Sequence, residues 1–202
     1  MAITNGYTTL AKLKARLAIA TLDVTDDADL ETIVQSVSRS IDDFCGRRFY
    51  AATETRYYTA DQQRCLLIDD LLSITTLKTD NDADGVYEIA WATTDYLLSP
   101  YNAPLESTPQ PYWRIEVTVL GINWFPRGVP KGVQIIGSWG FSATTPDVVA
   151  SACLFQAALE YRASKSSGGV SGKGEMGTEI RAAGLHPFTR RMLEPYRRVI
   201  AV

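Results

Sequence analysis

Histidine, cysteine and long apolar runs are scarce in this 202-residue chain, and each scarcity closes a class of function. The three cysteines, Cys45, Cys65 and Cys153, are an odd number without CxxC or CxxH spacing. They read as reduced, mostly buried small hydrophobes, not as a disulfide framework or a zinc site. No apolar run approaches the ~20 residues that a membrane span requires. The start of the chain lacks the basic-then-apolar pattern of a secretory signal, so synthesis and retention in the cytoplasm are expected unless the chain leaves inside a larger assembly. Neither sign of charge dominates, with a net of -3, which argues against a dedicated nucleic-acid binder.

Enzyme signatures are missing as well. The single histidine, His186, directly precedes Pro187 and reads as a residue at the start of a helix. Ser138 lies in GSWG, which lacks the glycine spacing of a nucleophile elbow. The carboxylate pairs Asp42-Asp43 and Asp69-Asp70 are adjacent in sequence, so they point apart and look like solvated surface. Residues 168–173 (GGVSGK) mimic a phosphate loop, but Gly174 stands where a magnesium-holding hydroxyl belongs and no buried strand precedes it. No cofactor is implied.

What is present is an ordinary globular composition, 46% hydrophobic and 21% charged, in a length that buries a core without staples. Charge is polarised: residues 1–100 carry nine basic against sixteen acidic side chains, and residues 101–202 eleven against seven. Such polarity suits a protomer whose acidic end meets a basic end of something else, or it is simple unevenness.

Helical periodicity marks both ends. Thr8-Thr9 precede Leu10, Leu13 and Leu17, a short amphipathic helix over 8–17. A second helix is predicted with Thr25 as its cap, acidic residues in its first turns, and the stripe Leu30, Ile33, Val34, Val37, Ile41 and Phe44; Gly46 stops it. A third starts at Thr145, with Pro146 as its first helical residue, and is apolar over more than one stripe.

Between them the period is that of strands, predicted at 53–58, 65–68, 73–78, 85–91, 95–98, 113–119 and 133–139. In 113–119, Trp113, Ile115, Val117 and Val119 are expected on the buried face. Residues 99–112 hold four prolines and no periodicity, a surface excursion. Short strands and turns together indicate a small antiparallel sheet or barrel.

Asp80-Asn81-Asp82-Ala83-Asp84-Gly85 matches the first half of a calcium loop, making Asp80, Asp82 and Asp84 candidate ligands with Glu88 as a further oxygen. Position 12 is Trp91, however, and Asp-Gly is also a common hairpin tip.

Residues 164–184 contain six glycines and five Ser/Thr, a leash with little apolar surface. Beyond it lies a basic tip in which Phe188, Tyr196 and Val199 are apolar anchors. Arg190, Arg191, Arg197 and Arg198 share one helical face if Pro195 only kinks the helix. Leash and tip suit a docking peptide, and equally a tip folded back on its own helices.

The order of these parts resembles the tailed-phage head-to-tail connector (adaptor, or head-completion) family, in its long form; related proteins occur in gene transfer agents. The resemblance is carried by DDADLETIVQSVSRSIDDFCGRRF, IDDLLSITTLKTDNDADGVYEI, VPKGVQIIGSWGFSATTPDVVASACLFQAALEYRAS and the closing LEPYRRV, and it spans essentially the whole chain. It implies an α+β fold: a small helical core of about four helices from 1–48 and 142–163, an inserted antiparallel β-module at 49–141, and a glycine-rich leash and docking arm at 164–202. It further implies a non-enzymatic virion neck protein, made in the host cytoplasm. Such proteins join the portal after packaging as a homo-oligomeric, normally dodecameric ring. The ring extends the DNA channel without sequence-specific binding and receives a stopper or tail-completion protein. The residues that the resemblance assigns to portal docking are Phe188, Arg190, Arg191, Tyr196, Arg197 and Arg198. A calcium-dependent binding module of a virion or surface protein is the alternative.

Overall fold

The chain alternates between two kinds of unit in the computed structural model, which describes residues 2–106, 110–119, 121–166 and 184–198. Met1–Phe49 and Thr145–Val202 form one unit, and Tyr50–Thr144 the other. Together they make an α+β fold.

The helical unit contains α1 (Leu10–Leu17), α2 (Asp27–Cys45), α3 (Asp147–Lys165) and α4 (Pro187–Leu193). Helix α1 starts where the Thr9 hydroxyl accepts the N–H of Lys12, and it ends at Ala18 in the left-handed conformation. Helix α2 buries Leu30, Val34, Val37 and Ile41 completely, with Ile33 and Phe44 at the margin of the stripe. Each such burial contributes roughly 1.5–3 kcal/mol. Gly46 terminates it at φ 64°, as expected.

Two of the predicted caps are displaced by one residue. The cap of α2 is Asp26, not Thr25, and its carboxylate serves no helix N–H. It accepts instead from the Tyr161 hydroxyl and the Lys165 ammonium, both at 2.6 Å, so the side chain is spent across α2 and α3. Pro146 caps α3 with extended backbone and precedes its first turn, while the Thr145 hydroxyl reaches back to the carbonyl of Phe49. Helix α3 packs against α1, α2 and α4. That enclosure accounts for its lack of a single stripe: Val149, Ala152, Cys153, Gln156, Ala157 and Ala158 are all buried.

The second unit is one antiparallel sheet ordered β1-β6-β2-β5-β4, with β3 paired to β2. Its strands are β1 (Ala52–Tyr58), β2 (Cys65–Thr79), β3 (Ile89–Ala90), β4 (Tyr96–Ser99), β5 (Tyr112–Val117) and β6 (Val133–Trp139). The stretches 65–68 and 73–78, predicted as separate strands, are a single 15-residue strand. Register shifts between Leu67 and Leu71, and again before Ser73 and Thr76, let β2 serve β5 with its first half and β6 with its second. At this last join a Cβ on Gly137 would lie 2.4 Å from the Ser73 carbonyl oxygen, so only glycine fits.

Three further expectations change. Residues 85–91 yield only the two-residue β3, because the polar turn before it runs long. Trp113 is 43% and Val119 88% exposed, since β5 stops at Val117 and meets the shifted register of β2 at its start. Asp69 is not merely solvated: it accepts the Tyr58 hydroxyl and pairs with Arg56 at 3.0 Å, and Asp70 is buried. The core centres on Leu66, Ile68, Leu71, Leu77, Ile115, Ile135 and Trp139, with Trp91 stacked on Phe125 at 4.7 Å. In the excursion 99–112, a short turn at Ala103–Leu105 buries Ala103.

Candidate functional site

Two places had chemistry ascribed to them: the C-terminal arm of the helical unit and the acidic turn of the sheet unit. The arm begins at His186, whose extended backbone and ring Nδ1, accepting the N–H of Phe188 at 3.1 Å, set up the first turn of α4. Pro187 at the first helical position sacrifices no bond. The arm is fixed to α3 by Gln156, buried to 1% exposure. Its Oε1 accepts both the N–H of His186 at 2.9 Å and the hydroxyl of Thr189 at 3.1 Å. Leu193 and Thr189 are fully buried beneath the arm.

Pro195 ends α4 instead of kinking it. The proline has no N–H to donate and its ring crowds the preceding turn, so the chain passes through a short 3₁₀ turn, Glu194–Tyr196, into extended backbone. The predicted shared face of four arginines therefore does not form. Arg190 and Arg191 are exposed on α4, while Arg197 and Arg198 lie beyond it. Arg197 pairs with Glu194 at 3.0 Å and stacks over Phe44, the Arg198 N–H donates to the Cys45 carbonyl at 2.8 Å, and Tyr196 meets Phe49 edge-on. The described end of the arm thus lies on its own unit, whereas Phe188 is 50% exposed and leans on Phe155. Val199, the phosphate-loop mimic and residues 167–183 of the leash lie outside the described residues.

Beside Phe188 is a feature that sequence reading missed. Arg16 of α1, Ser151, Leu154 and Phe155 of α3, and Phe188 and Met192 of α4 line a cavity of about 240 Å³. Its signal in the sequence was the second apolar stripe of α3, whose meaning depends on what packs there.

In the acidic turn, Asp80 is buried and its two carboxylate oxygens accept the N–H groups of Ala83 at 2.8 Å and Gly85 at 2.9 Å. Burial pushes its pKa up, but the N–H groups of Gly85, Ala83 and Asp82 outweigh it and hold the carboxyl below the usual range. Oxygens of Asp80, Asp82 and Glu88 lie within 4.8 Å of one another. Asp84 is not in that group; its carboxylate accepts the N–H of Val86. Trp91, at the position of a calcium loop's last ligand, is a core residue whose indole donates to Thr79. Chemically the turn is a self-capped loop with four carboxylates on it, three of them clustered.

No family model matches the sequence, and a search of curated proteins finds no match. Solved structures do resemble the fold. The chain is similar to one in the neck of an empty gene transfer agent (GTA) particle computed with C6 symmetry, at TM-score 0.63 and 20% identity, covering 100% of this chain and 95% of that one. A chain in the neck of a native GTA particle computed with C12 symmetry matches at TM-score 0.62 and 20% identity, over 100% and 94%. A third, in the virion of a native GTA particle, matches at TM-score 0.61 and 20% identity over 100% and 95%. Both units and the arm therefore share one fold, end to end, with chains of gene transfer agent particles.

Proposed function

We propose that this chain is a structural, non-enzymatic protein of the neck of a DNA-carrying tailed particle. It forms the adaptor ring between portal and tail and extends the DNA channel after packaging. The observation that carries this reading is the end-to-end likeness to chains of necks computed with C6 and C12 symmetry, which extends over both units. Net charge agrees: a channel lining that is not strongly basic lets phosphates pass without tight binding. The ring would be of identical subunits, twelve if it follows the C12 neck, with the portal on one side and a stopper or tail-completion protein on the other.

Portal docking is assigned to Phe188, Arg190, Arg191, Tyr196, Arg197 and Arg198. Engagement starts at Phe188, Arg190 and Arg191, which are exposed; Tyr196, Arg197 and Arg198 follow by leaving Phe49, Phe44 and Cys45. Deleting 185–202 is a poor probe, because it removes the buried Thr189 and Leu193. The double substitution Arg190→Glu with Arg191→Glu leaves those contacts in place and should abolish attachment to the portal.

The deciding experiment is electron microscopy of particles made without this gene. DNA-filled heads beside separate, complete tails are expected. Intact tailed particles would overturn the neck assignment.

A further inference from the structure

We propose that neighbouring copies of this chain join head-to-tail. In this contact the exposed loop between α1 and α2 of one copy seats Leu22 in the cavity between α1, α3 and α4 of the next. The proposal rests on the ring reading above and names the surface that makes the ring.

The hole is the cavity of about 240 Å³ lined by Arg16, Ser151, Leu154, Phe155, Phe188 and Met192. An apolar cavity of ~150 Å³ accommodates a benzene ring, so this one has room for a leucine side chain. The knob is the loop, where Leu22 is 94% and Val24 69% exposed. Among the described residues of the helical unit no other large apolar side chain is as exposed as Leu22.

The loop does not fill the cavity of its own copy. It is held by two anchors: Lys14 Nζ of α1 bonds the Thr21 carbonyl and Asp27, and Asp26 bonds Tyr161 and Lys165 towards the C-terminal end of α3. The cavity faces Ser151 to Phe155. Along a helix rising ~1.5 Å per residue, those two stations are about 15 Å apart. Leu22, 94% exposed, does not occupy the hole of its own copy, and a knob and a hole on different surfaces of one chain meet between copies in a heterologous contact that closes as a ring or extends as a filament.

Charge selects the same occupant. Asp23 stands between Leu22 and Val24 on the loop. Arg16 lines the hole, and exposed Arg191 shares the α4 stripe of Phe188 and Met192 at i, i+3 and i+4. A second copy of this chain therefore presents an apolar tip carrying one carboxylate to an apolar hole rimmed by guanidinium groups.

The test uses two surface variants of the full chain and mass photometry across a concentration series. Leu22→Asp spoils the knob and keeps the hole; Ser151→Trp fills the hole and keeps the knob. Wild type should build species beyond the dimer as concentration rises. Each variant alone should stay monomeric, and an equimolar mixture should stop at a one-to-one dimer, which unfolded variants could not give. Variants that assemble like wild type would overturn this contact while leaving the ring to other surfaces. A wild type that stays monomeric throughout would overturn it as a self-association site, with the neck assignment still decided by particle microscopy. Phe188 lines the hole that Ser151→Trp fills, so portal docking is read separately only in Leu22→Asp, which leaves Phe188, Arg190, Arg191 and the hole intact.

Discussion

Gln156 and Thr189 meet in the interior of the helical unit, the side-chain oxygen of the one accepting the hydroxyl of the other at 3.1 Å. The same oxygen takes the N–H of His186, so one buried amide decides where the C-terminal arm is seated. Gln156 falls on an apolar side of α3 in the sequence, while nothing there marks Thr189 as a core residue. Each is buried because the other is there.

Replacing Gln156 with Ala leaves the Thr189 hydroxyl and the His186 N–H without their acceptor and opens a void. A loss of about 2–4 kcal/mol is expected in urea unfolding, with early hydrogen exchange at Phe188 to Leu193. Retention of wild-type protection in α4 would show that the seat does not depend on this amide.

The Tyr7 hydroxyl donates to Asp42 and accepts the N–H of Phe49. Burial raises the pKa of Asp42, against the lowering effects of Tyr7 and Arg39. A carboxyl raised in the folded state binds its proton more tightly there, so its contribution is fully present below the unfolded value of ~4 and is lost as pH rises through the folded value. Tyr7→Phe removes a lowering contact and extends that loss. The variant should be destabilised by about 1–2 kcal/mol at neutral pH and by less at pH ~3.5, where Asp42 is protonated. Carboxyl chemical shifts should show Asp42 titrating at higher pH than in wild type.

Gly140 has φ 138°, and a Cβ there would lie 2.0 Å from the carbonyl oxygen of Tyr50. Gly140→Ala should therefore cost about 3 kcal/mol or more, since both the dihedral and the backbone contact must be relieved. Thermal unfolding followed by the tryptophans of the sheet is the direct measurement.

Burial pushes the thiol of Cys45 up to about 12 and that of Cys153 up to about 11, while Cys65 is only half-buried. An aromatic disulfide reagent at pH 8 should label one thiol per native chain, at Cys65, and three after denaturation. Rapid labelling of two or three native thiols would contradict the packing of α2 against α3.

Much of the local structure was legible because it depends on neighbours in sequence. Thr9, Gly46 and His186-Pro187 mark helix boundaries through bonds within a few residues, and the structure puts them there. The strands β1, β4, β5 and β6 lie within two residues of their predicted starts and ends, since alternation is a local property. The caps at Thr25 and Thr145 failed by one residue for the opposite reason. Asp26 and Thr145 bond to partners far away in sequence, Tyr161, Lys165 and Phe49.

By itself the sequence determined the helical ends, the strand-rich middle, the reduced cysteines and a break of the last helix near Leu193, whether a kink or a stop. Each follows from spacing, side-chain shape or a missing N–H. Tertiary structure decided that 65–79 is one bulged strand, that the last helix stops at Leu193 with the end of the arm along α2, and that Arg16, Phe155 and Met192 line a half-open cavity. Those outcomes depend on which surfaces meet across forty residues or more, and a local pattern carries no record of its distant partner.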